Sequence, residues 1–198
     1  MLHIKVYSDY VCPYCFLGEV VLERALKGME DKVEIEWLPF ELRPAPAPTL
    51  KPEEDYLKTT WERSVYPMAK QLGIDIVLPM VSPQPHTHLA FEGYQFANER
   101  GKGEAYTKRL FRAFFQEEKD LGEVSVLSLL ASEVGLDAGA FKQAVESRGY
   151  KYAHQKALRN AYYEAGITSV PTFIIGDKKV TGLLREEDLR NLIKLELE

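Results

Sequence analysis

The feature that most limits the fold is where the two cysteines fall. Cys12 and Cys15 lie between a segment with strand periodicity and a segment with helix periodicity. Leu2, Ile4 and Val6 alternate with His3, Lys5 and Tyr7, which is the period of a strand. From Phe16 to Leu26 the apolar residues fall at helical spacing, and Gly28 is a suitable stop. Val33, Ile35 and Trp37 then alternate with Glu34 and Glu36. This order predicts a βαβ unit, whose first two strands must run parallel.

The prolines of Arg43-Pro44-Ala45-Pro46-Ala47-Pro48 favour an extended exit from that unit. The pattern then becomes helical. Met68, Ala69 and Leu72 close a helix at Gly73, and another is expected from Thr87 to Arg100. Tyr106, Leu110, Phe111, Phe114 and Phe115 form an apolar stripe on a third. Ser125 is the expected N-cap of a helix over 126–134, and Asp137 of one from Ala138 to about Arg148. A last helix runs from about Tyr152 to Ala165 and stops at Gly166.

Strand character returns from Val170 to Gly176, with Pro171 near its start. Gly176 to Lys179 is the expected turn, and Val180 to Gly182 an antiparallel partner. Arg185 to Leu197 closes the chain as a helix. The expected architecture is therefore α/β: residues 1–48 and 166–198 form a βαβ…ββα domain, with a helical domain at 49–165 inserted.

At the start of a helix a cysteine meets unpaired N–H groups and a partial positive charge, and both favour the nucleophilic thiolate. Pro13 suits the first turn because its missing N–H would have no partner there. Cys15 lies about one turn on, placed to attack a mixed disulfide at Cys12. Zinc binding is one alternative, with His3, His86, His88 and His154 as the remaining ligands. The i, i+2 spacing of His86 and His88 and their distance from the cysteines argue against it. A pair of inert buried cysteines is another.

Three segments carry a family resemblance. They are Cys12-Pro13-Tyr14-Cys15 with Gly18, Phe40-Glu41-Leu42-Arg43-Pro44, and Gly166-Ile167-Thr168-Ser169-Val170-Pro171-Thr172-Phe173-Ile174. With the inserted helices, the chain resembles the DsbA-like branch of the thioredoxin superfamily, and its FrnE-type group in particular. The resemblance implies a thioredoxin fold with Cys12 as nucleophile and Cys15 as resolving thiol. It implies a cis-proline at Pro171, with Val170 pairing an extended substrate. Pro13 and Tyr14 match the dipeptide that tunes redox potential, and they are expected to contact substrate. Many relatives carry a buried acid six residues before the nucleophile. Val6 stands there, and Asp9 could instead cap the loop or helix, so no proton-transfer residue is assigned.

The implied function is a thiol–disulfide oxidoreductase acting on protein or low-molecular-weight disulfides, such as those of a glutathione-like thiol. It needs no cofactor and no metal. Kappa-type glutathione transferases and 2-hydroxychromene-2-carboxylate isomerases form the alternative, although they lack the second cysteine. A binding module with Tyr106, Phe111 and Phe115 as a client surface is a third class, against which those aromatics read more simply as core. The net charge of −5 and the lack of a basic patch exclude nucleic acid as the expected partner. No apolar run reaches the length that spans a bilayer, and the alternating start is no signal peptide, so the expected compartment is the cytoplasm.

Overall fold

The computed structural model describes residues 1–198. Four strands form one sheet: β1 (Leu2–Ser8), β2 (Val33–Pro39), β3 (Thr172–Ile175) and β4 (Lys178–Thr181), in the order β2-β1-β3-β4. β1 and β2 are parallel, with Ile4 beside Ile35 and Val6 beside Trp37. β3 runs antiparallel to both β1 and β4. The chain thus has the expected βαβ…ββα topology, with a helical block inserted between the two halves of the sheet.

The faces of the sheet explain the register. Ile4 and Val6 pack with Phe173, with Leu17 and Val21 of α1 (Pro13–Leu26), and with Leu189 and Ile193 of α9 (Glu186–Leu197). The opposite face carries Tyr7, Phe40, Ala161 and Ile167 as a smaller cluster. Because both faces are covered at this end, β1 loses its alternation, and Val6, Tyr7 and Ser8 are all buried.

The hairpin turn is shorter than expected. Ile175 already pairs with Lys178, which leaves only Gly176 and Asp177 outside the ladder. Gly176 takes φ 56°, the left-handed conformation such a two-residue turn needs.

The inserted block begins with α2 (Asp55–Thr60) and α3 (Tyr66–Leu72), joined by a π-turn at Trp61–Val65. Pro67 has no N–H to continue the ladder, and the N–H of Tyr66 reaches back five residues to Trp61. Gly73 ends α3 at φ 62°. Then come α4 (His88–Asn98), α5 (Gly103–Phe115), α6 (Val124–Glu133), α7 (Ala138–Glu146) and α8 (Lys151–Arg159), with a second π-turn at Asn160–Glu164. Asp137 caps α7, its Oδ1 accepting from the Ala140 N–H at 2.7 Å. Ser125 is not a cap. Glu123 holds that position, because Val124 packs against the core and draws the helix back.

Tyr106, Phe111 and Phe115 are fully buried, so they are core and offer no client surface. Phe115 stacks on Phe16 of α1 at 5.5 Å and 12°. Phe91 of α4 meets Tyr10 at 4.6 Å. Burying each such ring contributes roughly 1.5–3 kcal/mol. These contacts pin the helical block beside the cysteine loop.

Candidate active site

Cys12 is the N-cap of α1, in extended backbone conformation, and Pro13 takes the first turn. The Cys12 N–H donates to the Asp9 carbonyl at 3.1 Å. The Cys15 N–H donates to the Cys12 carbonyl at 3.0 Å. Both cysteines are free thiols in this structure. The Cys12 thiol faces the Val170 carbonyl oxygen at 3.9 Å, a long, weak sulfur hydrogen bond. The Val170–Pro171 peptide bond is cis. The Pro171 carbonyl accepts the Gly182 N–H at 2.8 Å.

Gly18 lets α1 pass close over this loop. A Cβ there would stand 3.3 Å from both Pro171 Cγ and Phe173 Cζ, tighter than ordinary contact. The glycine after the cysteine pair is therefore a spacing residue between α1 and Pro171.

The two thiols have different surroundings. Cys12 is 4% exposed and lines a cavity, whereas Cys15 is 1% exposed and does not. Burial holds the Cys15 thiol well above the ordinary range, and the neighbouring Cys12 adds to this. Asp9 lies beside the pair, 1% exposed. Its Oδ2 accepts the Leu42 N–H at 2.7 Å, while Oδ1 has no partner. Burial pushes the Asp9 carboxyl up to about 6, and the Leu42 N–H opposes that shift. Asp9 does not cap α1 with its side chain, which is turned toward Leu42.

The cavity measures about 300 Å³. Cys12, Pro13, Tyr14 and Val170 line it on the sheet side, and Tyr56 and Trp61 of the inserted block line the other. The structure thus gathers these four sequence-selected residues around one space, with Pro171 behind Val170 and Cys15 beneath Cys12. The Tyr14 hydroxyl donates to Ser64 Oγ at 2.7 Å across this junction. Asp9 and Arg43 are the charged residues on the wall.

The histidines weighed as zinc ligands are dispersed. His3 pairs with Glu34 at the surface, and His86 Nε2 meets the Ala47 carbonyl at 2.8 Å. His154 is 2% exposed and pairs with Glu41, which is 5% exposed. No group of three or more His, Cys, Asp or Glu side chains is placed to hold a metal ion.

Sequence reasoning missed Trp61, Tyr56 and the Glu41–His154 pair. The inserted helices carry no motif that marks which aromatic faces the cysteines. Glu41 and Arg43 did fall in the segment Phe40 to Pro44, which was the available signal.

Comparison with known proteins adds four findings. The family described as "DSBA-like thioredoxin domain" matches residues 3–194. YwbO of Bacillus subtilis (strain 168), described as uncharacterized, is 54% identical over 182 residues, covering 91% of this chain and 90% of its own. Among solved structures, the probable DsbA oxidoreductase SCO1869 from Streptomyces coelicolor superposes with TM-score 0.84 at 23% identity, covering 99% of this chain and 90% of that one. The cytosolic disulfide reductase DsbM from Pseudomonas aeruginosa, solved with GSH, gives TM-score 0.74 at 17% identity and 99% coverage of both. At these identities the two structures speak to the fold.

Proposed function

The chain belongs to the DSBA-like thioredoxin domain family, and from that premise we propose that it is a thiol–disulfide oxidoreductase working through Cys12 and Cys15. The observation that carries this reading is the placement of Cys12. It caps α1, faces the Val170 carbonyl before a cis proline, and borders a cavity large enough for a substrate segment.

The Cys12 thiolate attacks one sulfur of a substrate disulfide. A Cys12–substrate bond forms, the substrate bond breaks, and the first half leaves with the electron pair and takes up a proton. Cys15 then loses its proton and attacks Cys12 Sγ. The Cys12–Cys15 bond forms and the second half departs as a thiol. Two electrons and two protons pass from the dithiol to the substrate. The reverse sequence oxidises a dithiol.

Val170 offers backbone to an extended peptide laid along the cavity. Pro13 and Tyr14 form the adjoining wall. Arg43 suits a substrate bearing a carboxylate, as a glutathione-like thiol does. The description of DsbM as a cytosolic reductase supports a cytoplasmic setting and a low-molecular-weight thiol partner. The segment Phe40 to Pro44, whose sequence resembles the FrnE-type group, contributes to the site: the Leu42 N–H donates to Asp9 and Arg43 lines the cavity.

Equilibration in glutathione redox buffers, followed by alkylation and mass measurement, tests the reading. A single two-electron midpoint with loss of about two protons' mass between Cys12 and Cys15 supports it. Addition of glutathione to Cys12 without an internal disulfide overturns it in favour of a transferase or isomerase of the kappa type.

A further inference from the structure

The mouth of the Cys12 cavity carries apolar surface that a small thiol seated inside it leaves in water. Leu42, in the segment after β2, is 42% exposed, and Tyr56 of α2 is 61% exposed. Both line the cavity. One comes from the sheet half of the chain and the other from the inserted block. Leu57 and Trp61, from the same stretch as Tyr56, also line it but are buried, so Tyr56 is mounted on packed structure. Exposed apolar surface costs free energy in proportion to its area, and tyrosine is enriched where protein partners dock.

The wall also offers one accessible charge. Arg43 is half-buried and takes part in no ion pair. Asp9, the other charged residue of the wall, is 1% exposed, and its Oδ2 already accepts the Leu42 N–H. An occupant therefore meets the guanidinium and not the carboxylate. The Val170 backbone beside Cys12 adds a direction. An extended chain laid along it turns alternate side chains to one face. When its cysteine faces Cys12, the residues two places away face the cavity as well.

We propose, resting on the reading of Cys12 as the nucleophile, that this site prefers disulfides of extended polypeptides to low-molecular-weight disulfides. Among polypeptides it selects those with a large apolar residue two positions from the cysteine and a carboxylate close by. The apolar side chain lies against Leu42 and Tyr56, and the carboxylate pairs with Arg43. A polypeptide crossing the mouth covers both rim side chains, which a substrate confined to the cavity cannot do.

Short cysteine peptides, each joined by a disulfide to thionitrobenzoate, test this with the reduced full chain. Cys12 attacks the peptide sulfur, a Cys12–peptide bond forms, and the aromatic thiolate leaves with the electron pair. Cys15 then displaces the peptide as a thiol. Each protein dithiol thus becomes one disulfide and releases two thiols, of which the aromatic one is followed by its colour. The parent peptide carries Phe two places from the cysteine and an adjoining Glu. Phe→Ser in the peptide should slow the second-order rate about tenfold, the scale of burying one aromatic side chain. Glu→Gln should slow it about two- to fivefold, less so at high salt. The glutathione disulfide of the same aromatic thiol should react at least about tenfold more slowly than the parent.

Leu42→Ser with Tyr56→Ser should bring the Phe-to-Ser rate ratio close to one, and Arg43→Gln should do the same for the Glu-to-Gln ratio. Equal rates for the Phe and Ser peptides, a glutathione disulfide as fast as the parent, or an unchanged Phe preference in the folded double variant would each overturn this specificity while leaving the cysteine chemistry standing. No release from any of these disulfides would overturn both.

Discussion

The Cys12 thiol points at the Val170 carbonyl oxygen, 3.9 Å away, across the cavity floor. On the proposed function, an incoming disulfide meets Cys12 beside the Val170 backbone, while Cys15 lies more deeply buried in the core. The roles are unequal, and single substitutions should separate them. Cys15→Ser leaves the attacking thiol but removes the one that resolves. Incubated with a disulfide-bonded protein, this variant should accumulate a mixed disulfide visible as a mass adduct on Cys12. Cys12→Ser should form no adduct and have no turnover. Equal adducts from both variants would place the exposed nucleophile at Cys15 and contradict the assignment.

Asp9 is the buried carboxyl whose charge acts on the resolving thiol. Cys15 is held above its ordinary range, so its attack on the mixed disulfide needs a base, and Asp9 Oδ1 is free to take the proton. With Asp9 at about 6, the base form grows in as pH rises through that value. The resolution rate of the wild-type protein should rise across pH 5–7. Asp9→Asn keeps an acceptor for the Leu42 N–H but cannot take the proton. Its rate should fall roughly 100-fold at pH 7 and lose the inflection near 6, as removal of a general base does. Stopped-flow decay of the mixed disulfide measures this directly. An unchanged inflection would assign it to another group.

The local rules of the sequence reached the sheet, the cysteine loop and most of the helices. They rest on period and on residues with one strong preference, such as Pro13, Gly73 and Asp137. They failed where packing outweighs preference. Ser125 is a good cap, but Val124 at the core moves the helix start to Glu123. Lys178 looked like turn, yet it pairs with Ile175 because Gly176 closes the reversal in two residues. The cavity wall from Tyr56 and Trp61 depends on how the inserted helices dock, which no local pattern encodes. Asp9 was visible but ambiguous, since capping and burial draw on the same residue type and only the contact with Leu42 decides between them.

Glu41 and His154 make a buried pair that ties the segment after β2 to α8. His154 also stacks on Phe91 at 5.4 Å and 8°. Removing one member of such a pair leaves the other charge or dipole buried alone. His154→Ala should cost about 3–5 kcal/mol of stability, by analogy with broken buried pairs. Urea unfolding at pH 7 gives the number. A loss below about 1 kcal/mol would put the pair in the class of surface bridges and mean that Glu41 finds water through the surface cleft that it lines with His154 and Arg148.

Glu19 gives a stability prediction whose sign runs opposite to that of an ordinary salt-bridged acid. Its carboxyl is held at about 7 in the folded chain, against about 4.3 for a free glutamate. Below pH 4 both states carry the proton and no penalty exists. Between these two values the unfolded chain releases its proton first, so stability falls as pH rises. By pH 8 the deficit is about 3–4 kcal/mol by linkage. Glutamine carries no such proton. Glu19→Gln should therefore match wild type at pH 4 and exceed it at pH 8, with the gap opening across pH 4.5–7. Thermal unfolding of both proteins over that range tests the claim. A gap of constant size would trace the difference to packing and remove Glu19 as the titrating group.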